Sequence, residues 1–92
     1  MIHGLMDSAD SFIMNERNRS AAFILADAGY DVWLANLRGN KYSRKHAHLD
    51  PESHAYWERI MPFVTGKYDI PAFMELVKLE TGQTNLTVIA HS

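Results

Sequence analysis

Residues 86–92 read Leu-Thr-Val-Ile-Ala-His-Ser, an apolar, β-branched run that leads without a break into a small residue, a histidine and a serine. Thr, Val and Ile favour the extended, pleated backbone. A strand that is apolar on both faces suits a parallel sheet covered on both sides by helices. It cannot stand alone, so its presence dictates what the rest of the chain must supply: parallel neighbours and helices to cover them.

The remaining sequence has that pattern. Residues 1–4 read as a strand stub and residues 5–18 as a polar, irregular stretch. Ser20 is placed to cap a short helix over Ala21–Ala28, and Gly29 stops it at the position where a left-handed residue is favoured. Asp31-Val-Trp-Leu34 follows as a short buried strand, with Trp33 expected in the core. Residues 36–55 form a long polar connection containing Arg38-Gly39-Asn40 and Asp50-Pro51. A second helix is expected from near Asp69, with Pro71 in its first turn and Gly82 as its stop. Ile70, Phe73, Met74 and Val77 make one apolar stripe along it at i, i+3, i+4, i+7 spacing. The order strand, helix, strand, helix, strand is that of an α/β fold with a parallel sheet and right-handed crossovers.

Within that frame two short segments carry chemistry. A serine two residues after Ala90 sits where a strand gives way to a tight turn. A small residue there lets strand and turn approach closely, and the turn lifts the hydroxyl clear of the sheet. His3-Gly4-Leu5, after the first strand stub, is a turn whose backbone N–H groups can face a developing negative charge. The Leu5 N–H is the expected donor, with the residue after Ser92 supplying its partner. Each segment is weak by itself, since many strands end near a serine and most His-Gly pairs are ordinary turns. Their order along the chain, one before and one after the helix-strand-helix series, is what links them.

Composition removes several other classes. The 92 residues are 47% hydrophobic and 22% charged, a globular balance, but a chain this short buries only about 60% of its unfolded surface. A formal net charge of −2 gives no electrostatic footprint for nucleic acid. No apolar run reaches the ~20 residues of a membrane span, and Met1 is not followed by a signal-peptide pattern. Without cysteine there are no disulfides or thiolate metal sites. Two glycosylation sequons occur, Asn18-Arg-Ser20 and Asn85-Leu-Thr87, the second at the mouth of an expected buried strand and so the poorer acceptor.

The run from Ala22 through Tyr30-Asp-Val-Trp-Leu34, with Asn36-Leu-Arg-Gly-Asn40 and Ser43-Arg-Lys-His46, closely resembles the acid lipases, the gastric, lysosomal and insect or nematode enzymes of the α/β-hydrolase fold. His3-Gly-Leu-Met-Asp-Ser8 resembles their oxyanion loop. Tyr68-Asp-Ile-Pro-Ala72 and Thr81-Gly-Gln83 resemble the ends of the helix before their nucleophile strand. The resemblance covers nearly all of this chain and a minor part of such an enzyme, so residues 1–92 are expected to be a partial α/β-hydrolase domain. It implies that Ser92 is the nucleophile and Leu5 an oxyanion donor. It implies hydrolysis of neutral lipid esters, triacylglycerols or cholesteryl esters, at a lipid–water interface without a cofactor. It also implies a triad whose Asp and His follow far beyond residue 92, and a secreted or lysosomal location. Residues 1–92 by themselves are therefore expected to be inactive. Two departures stand out: Ala90 where the family has Gly, and a segment 58–66 that does not match, with one residue more between Trp57 and Tyr68.

Two alternatives share these observations: a non-lipid esterase of the same fold, and a non-catalytic, truncated or degenerate relative. Other residues have plainer readings. His46, His48, Asp50, Glu52 and His54 alternate as metal ligands could, but Pro51 breaks any strand ladder and solvated loop imidazoles are expected. Arg38, Lys41, Arg44 and Lys45 read as a solvated loop, with contact to an anionic lipid surface as the sharper alternative. His91 is adjacent to Ser92, and neighbouring side chains on a strand diverge, so it is not expected to act as the base.

Overall fold

A computed structural model describes all of residues 1–92. The chain divides into two compact units, Met1–Asn36 with Val88–Ser92, and Leu37–Thr87.

In the first unit the expected strands meet only as two isolated parallel bridges, Ile2 with Ala35 and Ile2 with Ala90. The Ile2 N–H donates to Ile89 O at 2.8 Å and Ile2 O accepts from the His91 N–H at 3.0 Å. On the other side the Ala35 N–H donates to Met1 O at 3.0 Å. Residues 1–3 thus lie between residues 33–35 and 89–91. No longer ladder forms, and the expected burial of these segments is not observed. Trp33 is 37% exposed, Val88 47% and Ile89 41%. Parallel strands are stable when helices cover both faces, and this unit has one seven-residue helix to do so. Trp33 instead uses its indole N–H locally, on Asp31 Oδ2 at 3.1 Å.

That helix, α1 (Ala21–Asp27), begins after Ser20 and ends before Gly29, whose φ is +95°. Ser20 occupies the capping position, but its hydroxyl makes no capping bond. It is buried and donates to Asn15 O at 2.7 Å, tying the preceding loop to the helix entry. The segment read as irregular contains a 3₁₀ turn over Ala9–Phe12. Asn36 anchors it by accepting from the Ala9 N–H at 3.0 Å. Ala9 and Ala22 are the buried apolar residues here, beside the buried polar His3, Ser8 and Ser20.

The second unit is more helical than the sequence suggests. The connection read as running through residue 55 gives way at α2 (His54–Trp57). Ser53 caps it by accepting from the Tyr56 N–H at 3.3 Å while donating to Asp50 O at 2.6 Å. Tyr56 is the buried apolar residue of this unit. Helical backbone then runs from α3 (Pro62–Val64) through a π-helical turn, Thr65–Asp69, into α4 (Ile70–Thr81). The helix expected to begin near Asp69 therefore begins earlier, and Asp69 itself is helical, with φ −72° and ψ −46°. A π-turn holds one residue more than an α-turn, which widens the backbone ahead of α4. It also eases Pro71, whose ring in a regular helix meets the carbonyl four residues back. Along α4, Ile70, Phe73, Met74 and Val77 are half-buried, as their spacing requires, and Thr81 continues the same stripe. Gly82 closes the helix at φ +70°.

Candidate active site

Ser92 and Gly4 are brought together by the bridge at Ile2. Pairing of Ile2 with residues 89 and 91 fixes the two chain segments in parallel, so the residues that follow each bridge meet. A Cβ built on Gly4 would lie 3.0 Å from Ser92 Cβ, 3.1 Å from His91 Nδ1 and 3.2 Å from His91 O. Glycine at position 4 is thus a matter of space, since its φ is not positive. Ser92 has φ +64°, a left-handed conformation rare for a residue with a side chain. Such strained positions cluster at sites of chemistry, and a strand-to-helix turn bearing a nucleophile requires one.

The loop after Gly4 is a turn. The Asp7 N–H donates to Gly4 O at 3.3 Å, and Met6 stands at φ +58°. A left-handed residue in the second central position is normally glycine or asparagine, so nothing in the sequence signals it at a methionine. Leu5 occupies the first central position, is 68% exposed, and its N–H has no acceptor within the chain. His3 is buried, and its Nδ1 stands 2.8 Å from Gly4 O. A carbonyl can only accept, so this ring carries its proton on Nδ1. The bond holds the Gly4 peptide in place and thereby the adjoining Leu5 N–H.

Ser92 is exposed, and no hydrogen bond joins its hydroxyl to His3 or His91. His91 is exposed, and its ring makes no hydrogen bond. The chain therefore brings an exposed serine beside a peptide turn with a free donor, and does not bring a base to the serine. Nor does any group of three or more His, Cys, Asp or Glu stand close enough to hold a metal ion. His46 Nδ1 is occupied by the N–H groups of His48 and Leu49 at 3.1 and 3.0 Å.

Comparison with known proteins decides the family. Residues 1–92 match the model of the alpha/beta hydrolase fold along their whole length. Human lipase member K is 49% identical over 90 residues, 98% of this chain. This chain belongs to the acid lipase family of the α/β-hydrolase fold. The lipase lipl-1 of Caenorhabditis elegans is 47% identical over 92 residues, all of this chain, and human gastric triacylglycerol lipase 46% over 90 residues, 98% of it. In each case the chain spans 22% of the relative's length. Within this acid lipase segment no helix is long and apolar enough to cross a membrane.

One feature of the second unit had no sequence signal. Arg38 and Asp69, separated by 31 positions, form a fork. Arg38 Nε donates to Asp69 Oδ1 and Oδ2 at 2.9 and 3.0 Å, and Nη2 to Oδ1 at 2.6 Å. The Arg38 backbone N–H adds a bond to Oδ2 at 3.3 Å. The Asp69 carboxylate raises the Arg38 pKa further, through hydrogen bonding first, so the guanidinium stays charged. The pair pins the Arg38-Gly39-Asn40 turn to the start of α4.

Proposed function

We propose that this chain is the nucleophile-bearing segment of a lipase that hydrolyses carboxylic esters of neutral lipids, such as triacylglycerols or cholesteryl esters. Ser92 Oγ attacks the ester carbonyl and passes its proton to a base supplied by the rest of the hydrolase domain. The tetrahedral oxyanion collapses, the alcohol leaves with that proton, and water releases the fatty acid from the acyl-serine. The Leu5 N–H stabilises the oxyanion. The observation that carries this reading is the pairing of a left-handed Ser92 with the Gly4-Leu5 turn. The names of its relatives, lipase member K and gastric triacylglycerol lipase, support it.

The strands around Ile2 extend into a parallel sheet in the complete domain, whose helices cover Trp33, Val88 and Ile89. The enzyme follows a secreted or lysosomal route and works at the lipid–water interface. Residues 1–92 alone lack a base for Ser92, and a serine hydroxyl without one is a poor nucleophile at neutral pH.

Grafting residues 1–92 into the matching stretch of human gastric triacylglycerol lipase tests the function. A graft that hydrolyses emulsified long-chain esters, and loses that ability on Ser92→Ala, is expected. A folded graft that cleaves short soluble esters only points to a non-lipid esterase, and one that cleaves neither to a degenerate relative.

A further inference from the structure

The second unit contains a cleft of about 300 Å³ that the ester chemistry does not use. Arg38, Lys45, His46, Tyr56 and Arg59 line it, and Asp69 is its one carboxylate. The Arg38 fork neutralises that carboxylate. The other basic residues of the 38–45 cluster are engaged elsewhere: Arg44 with Glu52 at 3.4 Å and over the Trp57 ring at 5.5 Å, Lys41 over the Tyr42 ring at 5.0 Å. Lys45 and Arg59 have no carboxylate partner.

His46 and Tyr56 add neutral donors to a lining that also includes Ser43 and Ile60. His46 Nδ1 accepts the His48 and Leu49 N–H groups, so the ring proton is on Nε2 and available. Tyr56 is only 4% exposed, yet its hydroxyl makes no hydrogen bond within the chain. The Tyr56 ring is buried while its hydroxyl is not cut off from solvent, so the hydroxyl can exchange water for a polar group that enters the cleft. Two cations without carboxylate partners, an N–H and an O–H thus belong to the lining of one cleft, and its one carboxylate is paired with Arg38.

We propose that this cleft binds a tetrahedral oxyanion, a phosphate or sulfate group, held by Lys45 and Arg59 with His46 Nε2–H and the Tyr56 hydroxyl as further donors. Charge-assisted bonds from ammonium and guanidinium are the strong ones for such groups. The group is either a free inorganic ion or the phosphate of a lipid headgroup, and the site does not depend on the assignment of Ser92.

The test is an NMR titration of the full chain with inorganic phosphate at fixed ionic strength, so that general screening is constant. Saturable shifts at Lys45, His46, Tyr56 and Arg59 are expected. The double variant Lys45→Gln, Arg59→Gln should weaken binding about a hundredfold, roughly tenfold for each charge-assisted contact. Tyr56→Phe, which keeps the buried ring, should weaken it several-fold, about the value of one hydroxyl bond. Lys67→Gln, whose ammonium lies over Phe63 and Tyr68, should leave it unchanged. Competition by phosphatidylglycerol vesicles, but not phosphatidylcholine, assigns the site to headgroups; no competition assigns it to the free ion. Absence of saturation by either ligand overturns the proposal, as does a loss with Lys67→Gln equal to that of the double variant.

Discussion

Gly4 lies so close to Ser92 that a methyl group added to it would stand 3.0 Å from the serine Cβ. The contact follows from backbone pairing: Ile2 accepts from and donates to the strand that ends at the serine, so the turn after one segment and the residue after the other share a corner. A peptide turn with a free N–H, steadied by the His3 ring on Gly4 O, and an exposed hydroxyl are juxtaposed.

Gly4→Ala should therefore disturb both segments. The added carbon meets Ser92 Cβ, His91 Nδ1 and His91 O together, and backbone oxygen cannot step aside as a side-chain tip can. Overpacking of this kind costs about 1–3 kcal/mol, read as a lower urea midpoint for the chain. In the lipase graft the misplaced serine should lower kcat by about 10²-fold. Unchanged stability and turnover would show that the two segments do not press on each other.

Gly39 and Gly82 separate crowding from backbone conformation. Both have positive φ, +85° and +70°. A Cβ on Gly82 meets nothing within 4 Å, whereas one on Gly39 would lie 2.1 Å from Ile60 Cδ1. Gly82→Ala should cost about 1 kcal/mol, the left-handed penalty alone. Gly39→Ala should cost more by about 1–3 kcal/mol, and Ile60→Ala in the same chain should recover part of that excess. Thermal unfolding of Gly82→Ala, Gly39→Ala, Ile60→Ala and the Gly39→Ala/Ile60→Ala double variant checks the additivity.

Much of this was legible in sequence where the cause is local. Gly29 and Gly82 stop their helices because a left-handed residue is needed there, and the spacing of Ile70, Phe73, Met74 and Val77 identifies the half-buried face of α4. What was not legible is where side chains go when a more distant partner competes. Ser20 holds the capping position but donates to Asn15 O. Asp69, two residues before Pro71, looks like a helix start, yet helical backbone already runs through it and its carboxylate pairs with Arg38. Four-residue α2 has too few positions for periodicity, and its signal was Ser53 three residues before Tyr56. Trp33 belongs to an apolar run that predicts burial, yet the one short α-helix of its unit leaves it 37% exposed. In the turn after Gly4 the left-handed Met6 was not legible, because no residue type announces it.

The fork between Arg38 and Asp69 should show measurable coupling. Its carboxylate is largely buried and its guanidinium about a third exposed, so it falls between surface pairs and buried ones. A double-mutant cycle with Arg38→Gln and Asp69→Asn should give a coupling of about 1–2 kcal/mol. Either single change should also loosen the Gly39 turn, seen as faster amide exchange at Gly39 and Asn40. Zero coupling would reduce the fork to a surface contact.

Arg17 and Asp27 give a pH-dependent counterpart. The Arg17 hydrogen bond holds the Asp27 carboxyl below the ordinary carboxylate range. A carboxylate with a depressed folded pKa adds stability above its unfolded pKa and loses it as pH falls through the folded one. Wild type should thus exceed Asp27→Asn in stability at neutral pH, by a small margin because the pair is exposed. The margin should begin to close near about pH 4 and vanish at lower pH. A margin that persists unchanged in acid would remove the ion pair as its source.

The most direct test of the account is covalent. The lipase graft carrying residues 1–92, treated with an alkyl p-nitrophenyl phosphonate and digested for mass spectrometry, should yield one adduct, on Ser92. Ser92→Ala should abolish both adduct and hydrolysis while leaving the far-ultraviolet circular dichroism unchanged. An active graft labelled at another serine, or one that keeps its activity after Ser92→Ala, would contradict the assignment of Ser92 as the nucleophile.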